Sequence, residues 1–97
     1  MLTSKQRSFL RSMANTYEPL VQIGKGSLTA PVATAVSEAL EARELIKVRV
    51  LKNNDDDIRT LAAELAQQVG ADVVQVIGRN FVLYRRRKEK PVIELPE

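Results

Sequence analysis

Residues 45–51 read Leu-Ile-Lys-Val-Arg-Val-Leu, and apolar side chains alternate with cations along most of this stretch. The aliphatic residues at the even positions point one way, whereas Lys47 and Arg49 point the other. Strict alternation is typical of a β-strand with one face on the core and one face towards solvent. We therefore predict a half-buried strand here and place the other elements around it.

Helical patterns flank this strand on both sides. Before it, Thr29 is the predicted N-cap of a helix that runs to about Arg43, and Pro31 stands in its first turn, where a missing N–H costs nothing. After it, the aspartates of residues 55–57 open another helix, which Gly70 ends as a left-handed cap. The strand therefore lies between two helices in the chain.

The outer parts of the chain supply one more helix and three more strands. Thr3 and Gln6 form a capping-box pair that begins a helix over residues 4–14. Residues 20–23 form a short strand between a proline and a glycine, and residues 73–84 form a hairpin. The order α-β-α-β-α-β-β predicts an α/β fold, a two-layer sandwich over a four-stranded mixed sheet.

Aromatic residues are scarce, with two phenylalanines, two tyrosines and no tryptophan. Phe9 has the spacing of a core residue in the first helix, together with Leu10 and Met13. Phe81 and Tyr84 are three apart in a strand, so they face opposite sides of the sheet, and packing is their expected role. This scarcity argues against base stacking on exposed sheet aromatics as the main mode of nucleic-acid binding.

Length and composition exclude several classes of protein. The 97 residues fit a single domain. The chain has no cysteine and no histidine, which removes disulfides, the commonest general base and the commonest transition-metal ligand. We expect no enzyme activity, no catalytic residue, no cofactor and no metal site. No apolar run approaches the roughly 18–20 residues that span a bilayer, and residues 1–7 lack a signal-peptide pattern, so we expect a cytoplasmic protein.

Charge is unevenly distributed along the chain. Lysine and arginine dominate residues 1–30 and 79–90, whereas residues 55–72 hold five carboxylates against Arg59 alone. Positive charge that is segregated in this way favours a polyanionic partner through counterion release. Charge alone leaves nucleic-acid binding and an ordinary solvated surface equally open.

The loop Gly24-Lys25-Gly26-Ser27 lies between the first predicted strand and the second helix. Free backbone N–H groups and the positive end of the helix dipole favour an anion at such a place. The glycines let the backbone approach a phosphate and Lys25 adds a point charge, although a plain turn is the alternative. A nucleotide-binding P-loop is not expected, because its lysine is followed by serine or threonine and Lys25 is followed by glycine.

Two further charge runs carry predictions. The run Asp55-Asp56-Asp57 is expected to stabilise the positive end of the third helix rather than to hold a metal ion. The run Arg85-Arg86-Arg87-Lys88 leaves the last strand as a basic arm, which we expect to contact RNA phosphates. A solvated tail is the alternative for this arm.

Four stretches carry a family resemblance. They are IGKGSLT at 23–29, ALEARELIKV at 39–48, VQVIG at 74–78 and FVLYR at 81–85. In this order they resemble the CRM domain, named for chloroplast RNA splicing and ribosome maturation, whose stand-alone bacterial form is the YhbY-like protein. The resemblance covers the chain from about Leu2 to Lys90 and makes residues 1–90 one RNA-binding domain, with residues 91–97 as a C-terminal tail.

The resemblance implies a fold similar to the C-terminal domain of translation initiation factor three. It also implies RNA binding through a GxxG loop like that of KH domains, and association with precursors of the large ribosomal subunit. The loop maps to Gly24-Lys25-Gly26-Ser27, where Ser27 stands in place of the last glycine. We expect Gly26 to supply flexibility one residue earlier and the Ser27 hydroxyl to donate to a phosphate.

We therefore predict a monomeric RNA-binding protein of ribosome assembly whose partner is ribosomal RNA of the large-subunit precursor, with no membrane association. The predicted RNA-binding residues are Gly24, Lys25, Gly26, Ser27, Thr29, Arg7, Arg11, Arg79, Arg85, Arg86, Arg87 and Lys88. Lys47 and Arg49 join them if their face of the sheet is open. The alternatives are an Alba-like nucleic-acid-binding protein and a ribosome-associated protein-interaction module.

Overall fold

The computed structural model describes residues 2–97, and its helices and strands follow the predicted order. In chain order they are α1 (Ser4–Ala14), β1 (Val21–Ile23), α2 (Ala30–Arg43), β2 (Leu45–Val50), α3 (Ile58–Val69), β3 (Asp72–Ile77) and β4 (Asn80–Tyr84). Among these residues, no helix has the length and apolar character needed to cross a bilayer.

The helix ends follow from local hydrogen bonding. The Thr3 hydroxyl accepts the Gln6 N–H at 3.1 Å, and the Thr3 N–H donates to Gln6 Oε1 at 3.0 Å, so the predicted capping box is confirmed. The Thr29 hydroxyl accepts the Val32 N–H at 3.4 Å at the start of α2. Gly70 ends α3 with a φ of 69°, as predicted, because glycine adopts this left-handed conformation without a Cβ penalty.

The four strands form one mixed sheet in the order β1-β2-β4-β3. β1 and β2 are parallel, and the other two pairs are antiparallel. We call the end where Ile23 and Val50 close β1 and β2, and where Asn80 opens β4, the upper edge of the sheet. The lower edge is the opposite end, where Leu45 opens β2 and Tyr84 closes β4. The predicted four-stranded mixed sheet is confirmed.

The main core lies between the sheet and the helices α2 and α3. Ile46, Val48 and Val50 of β2 are buried there, as their alternation predicts, and Phe81 and Leu83 of β4 join them. These apolar side chains supply most of the stabilisation, since a fully buried aliphatic or aromatic side chain contributes about 1.5–3 kcal/mol. The sheet and the pair α2 and α3 are the two layers of the predicted sandwich.

The helix α1 lies on the other face of the sheet. Its Leu10 and Ala14 are buried against Leu45, Val82 and Tyr84. These strand residues belong to the lower part of this face, so the upper part is left uncovered. The sequence did not indicate which face α1 would cover, because nothing in its own stripe identifies the strands beneath it.

The prediction that Phe9 is a core residue is wrong, because its side chain is 39% exposed. α1 meets the sheet through Leu10 and Ala14, which are four residues apart, and Phe9 is turned about 100° away from Leu10 around the helix. Phe81 and Tyr84 are both buried on opposite faces of the sheet, as predicted.

The C-terminal segment, residues 91–97, returns over the lower part of the sheet on the α1 side. Ile93 and Leu95 are half-buried against the smaller core under α1. The Gln6 Nε2 of α1 donates to the Pro96 carbonyl at 3.1 Å. α1 and this segment together therefore cover the lower part of that face.

Candidate nucleic-acid interface

The loop of residues 24–27 lies at the upper edge, directly after β1 and before the capped start of α2. The Ser27 N–H donates to the Gly24 carbonyl at 3.0 Å and closes a tight turn. Lys25 and Gly26 are exposed at the middle of this turn. The Lys25 cation is therefore presented to solvent near the positive end of a helix, where a phosphate is favoured.

Ser27 adopts the left-handed backbone conformation at the last position of the loop, with a φ of 59°. Left-handed backbone is costly for most residues that carry a Cβ, which explains why a glycine suits this position. Gly26 does not take a positive φ, so the left-handed conformation falls on Ser27 and not one residue earlier. The Ser27 hydroxyl was expected to donate to a phosphate. In the structure it donates to a carboxylate oxygen of Asp56.

Asn54 connects this loop to the segment between β2 and α3. Its side chain is buried, with 4% exposed. The Asn54 Nδ2 donates to the Gly24 carbonyl at 2.8 Å, and its Oδ1 accepts the Asp56 N–H at 2.8 Å. The amide nitrogen and the amide oxygen of Asn54 therefore join the loop of residues 24–27 to the segment before α3 at the upper edge.

Arg79, in the turn between β3 and β4, has a scaffold role in this structure. Its Nε donates to the Val50 carbonyl at 3.0 Å, and one terminal nitrogen donates to the carbonyls of Leu51 at 2.5 Å and Asn54 at 3.1 Å. The guanidinium thereby fixes the chain that follows β2. Through Asn54 the same contacts extend to Gly24.

The upper part of the α1-side face is open, which was the condition for a contribution from Lys47 and Arg49. Lys47 is half-buried near α1, whereas Arg49, one row higher, is exposed. Lys52 follows β2 at the upper edge and is also exposed. Lys52 was missed at the sequence level, because it lies just beyond the strand alternation that identified its neighbours. Three exposed cations therefore lie at or near the upper edge of the sheet. They are Lys25, Arg49 and Lys52.

The arginines of α1 lie on one side of that helix, four residues apart. A terminal nitrogen of Arg7 donates to the Val73 carbonyl of β3, so Arg7 is tied to the sheet. Arg11 is exposed and lies on the flank of α1 turned away from Gln6, which contacts the C-terminal segment. Arg11 is therefore free to extend the basic surface.

Arg85 lies at the lower edge and is bound by the protein itself. One terminal nitrogen donates to the Val69 carbonyl at 2.9 Å and to the Ser37 hydroxyl at 3.1 Å. The other donates to the Ser37 carbonyl at 2.8 Å and lies 3.4 Å from a carboxylate oxygen of Glu41. The guanidinium thereby joins the middle of α2 and the end of α3 to the end of β4.

Glu44 joins the basic arm to the start of the C-terminal segment. Its fully buried carboxylate accepts the N–H groups of Arg87 at 2.8 Å, Val92 at 2.7 Å and Ile93 at 2.6 Å. Burial works to raise the pKa of Glu44, but these three hydrogen bonds and the Arg87 charge outweigh it and lower the pKa. Lys88 is exposed on the loop of residues 88–91 that this carboxylate closes, and Arg86 is exposed just before it.

The acidic run before α3 has structural partners. The Asp57 carboxylate accepts the Thr60 N–H at 3.0 Å and the Thr60 hydroxyl at 2.9 Å, so the predicted helix cap is confirmed. The same hydrogen bonds lower the pKa of Asp57. Within residues 2–97, no group of three or more potential ligand side chains is placed to hold a metal ion.

The structure divides the predicted RNA-binding residues into three groups. The upper edge holds Gly24, Lys25, Gly26, Ser27, Thr29 and Arg79. Arg7 and Arg11 lie on α1, over the lower part of the sheet, where Arg7 is bonded to Val73 near the start of β3. The lower edge holds Arg85, Arg86, Arg87 and Lys88. Arg79 and Arg85 are separated by the length of β4, about 20 Å at strand spacing. The loop and the basic arm are therefore not parts of one local site.

Comparison with known proteins gives a consistent assignment. The model of the CRS1 / YhbY (CRM) domain matches residues 2–85. The probable RNA-binding protein YqeI of Bacillus subtilis is 47% identical over 96 residues, which cover 99% of this chain and 100% of that protein. An RNA-binding protein of Haemophilus influenzae is 35% identical over 95 residues, which cover 98% of this chain and 95% of that protein.

A solved structure agrees with the fold. The solution structure of a hypothetical protein from Staphylococcus aureus superimposes with a TM-score of 0.84 at 48% sequence identity. The match covers 99% of this chain and 100% of that chain.

Proposed function

The chain belongs to the CRS1 / YhbY (CRM) domain family, and on that premise we propose that it binds RNA and assists assembly of the large ribosomal subunit. It acts by binding, without chemistry, and its partner is ribosomal RNA of the large-subunit precursor. Residues 1–90 form the RNA-binding domain and residues 91–97 its tail. The names of the relatives support RNA binding. The resemblance to the CRM domain, whose name includes ribosome maturation, supports the assembly role.

The observation that carries the proposal is the position of Lys25. It is exposed on a turn that Asn54 holds at Gly24, beside the start of α2. Arg49 and Lys52 are exposed on the neighbouring strand and its end. The loop is held in place, lies at the start of a helix and has several cations close by. These features suit it to bind the phosphates of a nucleic acid.

The replacement Lys25→Ala tests the phosphate contact. We expect weaker binding to large-subunit ribosomal RNA at every sequence tested, because phosphate contacts carry no sequence information. The slope of log K against log salt should fall by about 0.7–0.9, the value for one lost phosphate contact. Filter binding or fluorescence anisotropy at several salt concentrations measures both quantities.

The matched control is Lys5→Ala, which removes the same charge from the exposed surface of α1. It should leave the salt slope within error of the unmodified protein. Equal effects of the two replacements would show that Lys25 contributes only general charge and would remove the loop from the proposed interface.

The assembly role is tested by sedimentation of a lysate through sucrose gradients at low and high salt. Co-migration with the large subunit or its precursors that is lost at high salt is the expected result. A protein that stays at the top of the gradient at low salt would contradict ribosome association. Preference for duplex DNA would favour an Alba-like role, and salt-insensitive binding would favour a protein-interaction module.

A further inference from the structure

Four residues form a single row across the sheet just below the upper edge. In the strand register, Gln22 lies opposite Arg49, Arg49 opposite Asn80, and Asn80 opposite Ile77. Residues directly opposite each other on paired strands share a face. We call these four residues the sheet row. It spans all four strands, which is about 14 Å at the usual spacing between strands.

The sheet row is on the face that α1 and the C-terminal segment leave open. Gln22 and Arg49 are exposed, and Ile77 is 55% exposed, which is unusual for an aliphatic residue in a strand. Two rows lower on the same face, Leu45 and Tyr84 are buried under α1. The cover therefore ends below the sheet row.

The chemistry of the sheet row differs from that of the loop. Gln22 carries an exposed amide, which both donates and accepts hydrogen bonds, as the edges of nucleobases do. Asn80 is half-buried and its Oδ1 is covered, so it borders the exposed residues of the row. Arg49 carries a planar guanidinium, on which a base can stack, and Ile77 offers an apolar contact. A row built only for phosphates needs cations, whereas this one contains a single cation among two amides and an aliphatic side chain.

The sheet row also adjoins the phosphate-binding elements. Gln22 is two residues before Gly24, so the row begins about 7 Å along β1 from the loop, and a strand of nucleic acid that crosses the upper edge can reach both. A cleft of about 440 Å³ adjoins the row at the upper end of β2 and is lined by Arg49, Val50, Leu51, Lys52, Arg79 and Asn80. Lys52 in this cleft is exposed and can contact the phosphates while the row meets the bases.

We propose that the sheet row contacts the bases of a single-stranded RNA segment whose phosphates lie on the loop of residues 24–27. The proposal rests on the proposed function and adds sequence preference to it. An RNA duplex does not fit, because its base edges lie in a groove too deep and narrow for side chains, or in a shallow groove that displays mainly 2′-hydroxyls. A single strand exposes its bases to a flat surface.

The test uses short single-stranded homopolymers of adenosine, uridine and cytidine as probes, with binding measured by anisotropy. The unmodified protein should bind the strongest and the weakest of these probes with clearly different affinities. Arg49→Lys keeps the charge but removes the planar group, and Gln22→Ala and Ile77→Ser remove the neighbouring contacts. Each should reduce the ratio of the two affinities, by up to about tenfold, which is the scale of one base contact.

Lys25→Ala is the matched comparison, since it should weaken binding to all three probes by the same factor and lower the salt slope. Arg49→Lys should leave the salt slope unchanged. All three row positions are exposed, so the urea midpoints of these variants should equal that of the unmodified protein.

The outcomes separate this inference from the proposed function. Two outcomes would overturn the base contact and leave RNA binding in place. One is salt-dependent binding with equal affinity for the three homopolymers, and the other is an affinity ratio that is unchanged in all three row variants. Tighter binding to a duplex RNA of the same length would also overturn it. Failure to bind any RNA would overturn both.

Discussion

Replacement of Glu44 by alanine removes the acceptor that holds the C-terminal part of the chain. The carboxylate accepts three backbone N–H groups at 2.6–2.8 Å, from Arg87, Val92 and Ile93, and is fully buried. A hydrogen bond to a charged group contributes about 1.5–3 kcal/mol. The sum of the three hydrogen-bond contributions is an upper bound on the loss of stability, because the released C-terminal segment can leave the surface and be hydrated. We expect the free energy of unfolding to fall by about 3–5 kcal/mol, as when one partner of a buried charged arrangement is removed.

Urea denaturation gives this free energy, and amide hydrogen exchange locates the effect. In Glu44→Ala, the amides of Arg87, Val92 and Ile93 should exchange faster than in the unmodified protein. Glu41→Ala is the matched control, since Glu41 is exposed and only pairs with Arg85 at 3.4 Å. Its loss should cost less than about 1 kcal/mol, the usual range for a surface ion pair.

The same carboxylate predicts a dependence of stability on pH. The pKa of Glu44 is lowered in the folded protein by its three N–H donors and by Arg87, against the opposing effect of burial. A lowered folded-state pKa stabilises the protein above the unfolded-state pKa, and this stabilisation is lost as the pH falls through the folded-state pKa. The difference in stability between the unmodified protein and Glu44→Gln should therefore shrink below about pH 4.

Two results would refute this reasoning. A loss of less than about 1 kcal/mol in Glu44→Ala would mean that the buried carboxylate contributes no more than a surface charge. A difference between the unmodified protein and Glu44→Gln that grows below pH 4 would mean that the pKa of Glu44 is raised rather than lowered.

Two further replacements test the loop at the upper edge. Ser27→Gly should be more stable to urea than Ser27→Ala by about 1 kcal/mol, because both lose the bond to Asp56 but only glycine relieves the φ of 59°; equal stabilities would contradict the left-handed conformation. Asn54→Ala should lose about 2 kcal/mol, because the Gly24 carbonyl and the Asp56 N–H lose their partners, and should bind RNA more weakly; unchanged RNA affinity in the folded variant would show that Asn54 does not position the loop.

Local patterns in the sequence were sufficient to predict the helices and strands and their order along the chain. Thr3 with Gln6 marks a helix start and Gly70 a helix end, because the hydrogen bonds involved join residues close in the chain. The alternation in residues 45–51 was sufficient for β2 and for its buried face. Phe9 was wrongly placed, because spacing alone does not give the angle at which a helix meets a sheet.

The division of the basic residues could not be predicted from the sequence. Arg79 and Arg85 are six positions apart, and only the extended conformation of β4 puts them at opposite edges of the sheet. Their charges suggested phosphate contacts, but the structure gives them carbonyl acceptors that no local pattern reveals. Glu44 was not singled out, because its role depends on a segment more than 40 residues later in the chain.

Glu44 binds the C-terminal part of the chain through peptide groups and not through side chains. At the exposed Val92 the attachment therefore does not depend on the side chain, provided that the residue is not proline, which has no N–H to give. At the other two positions the side chain adds to the peptide contact, through the charge of Arg87 and the packing of Ile93. The exposed loop of residues 88–91 between these attachment points can exchange its sequence, provided that position 90, where φ is 52°, keeps a residue that tolerates left-handed backbone. The loop is therefore a suitable place to insert a foreign peptide or a probe, because its two ends are held through peptide N–H groups. An insertion there lies at the lower edge of the sheet, far from Lys25.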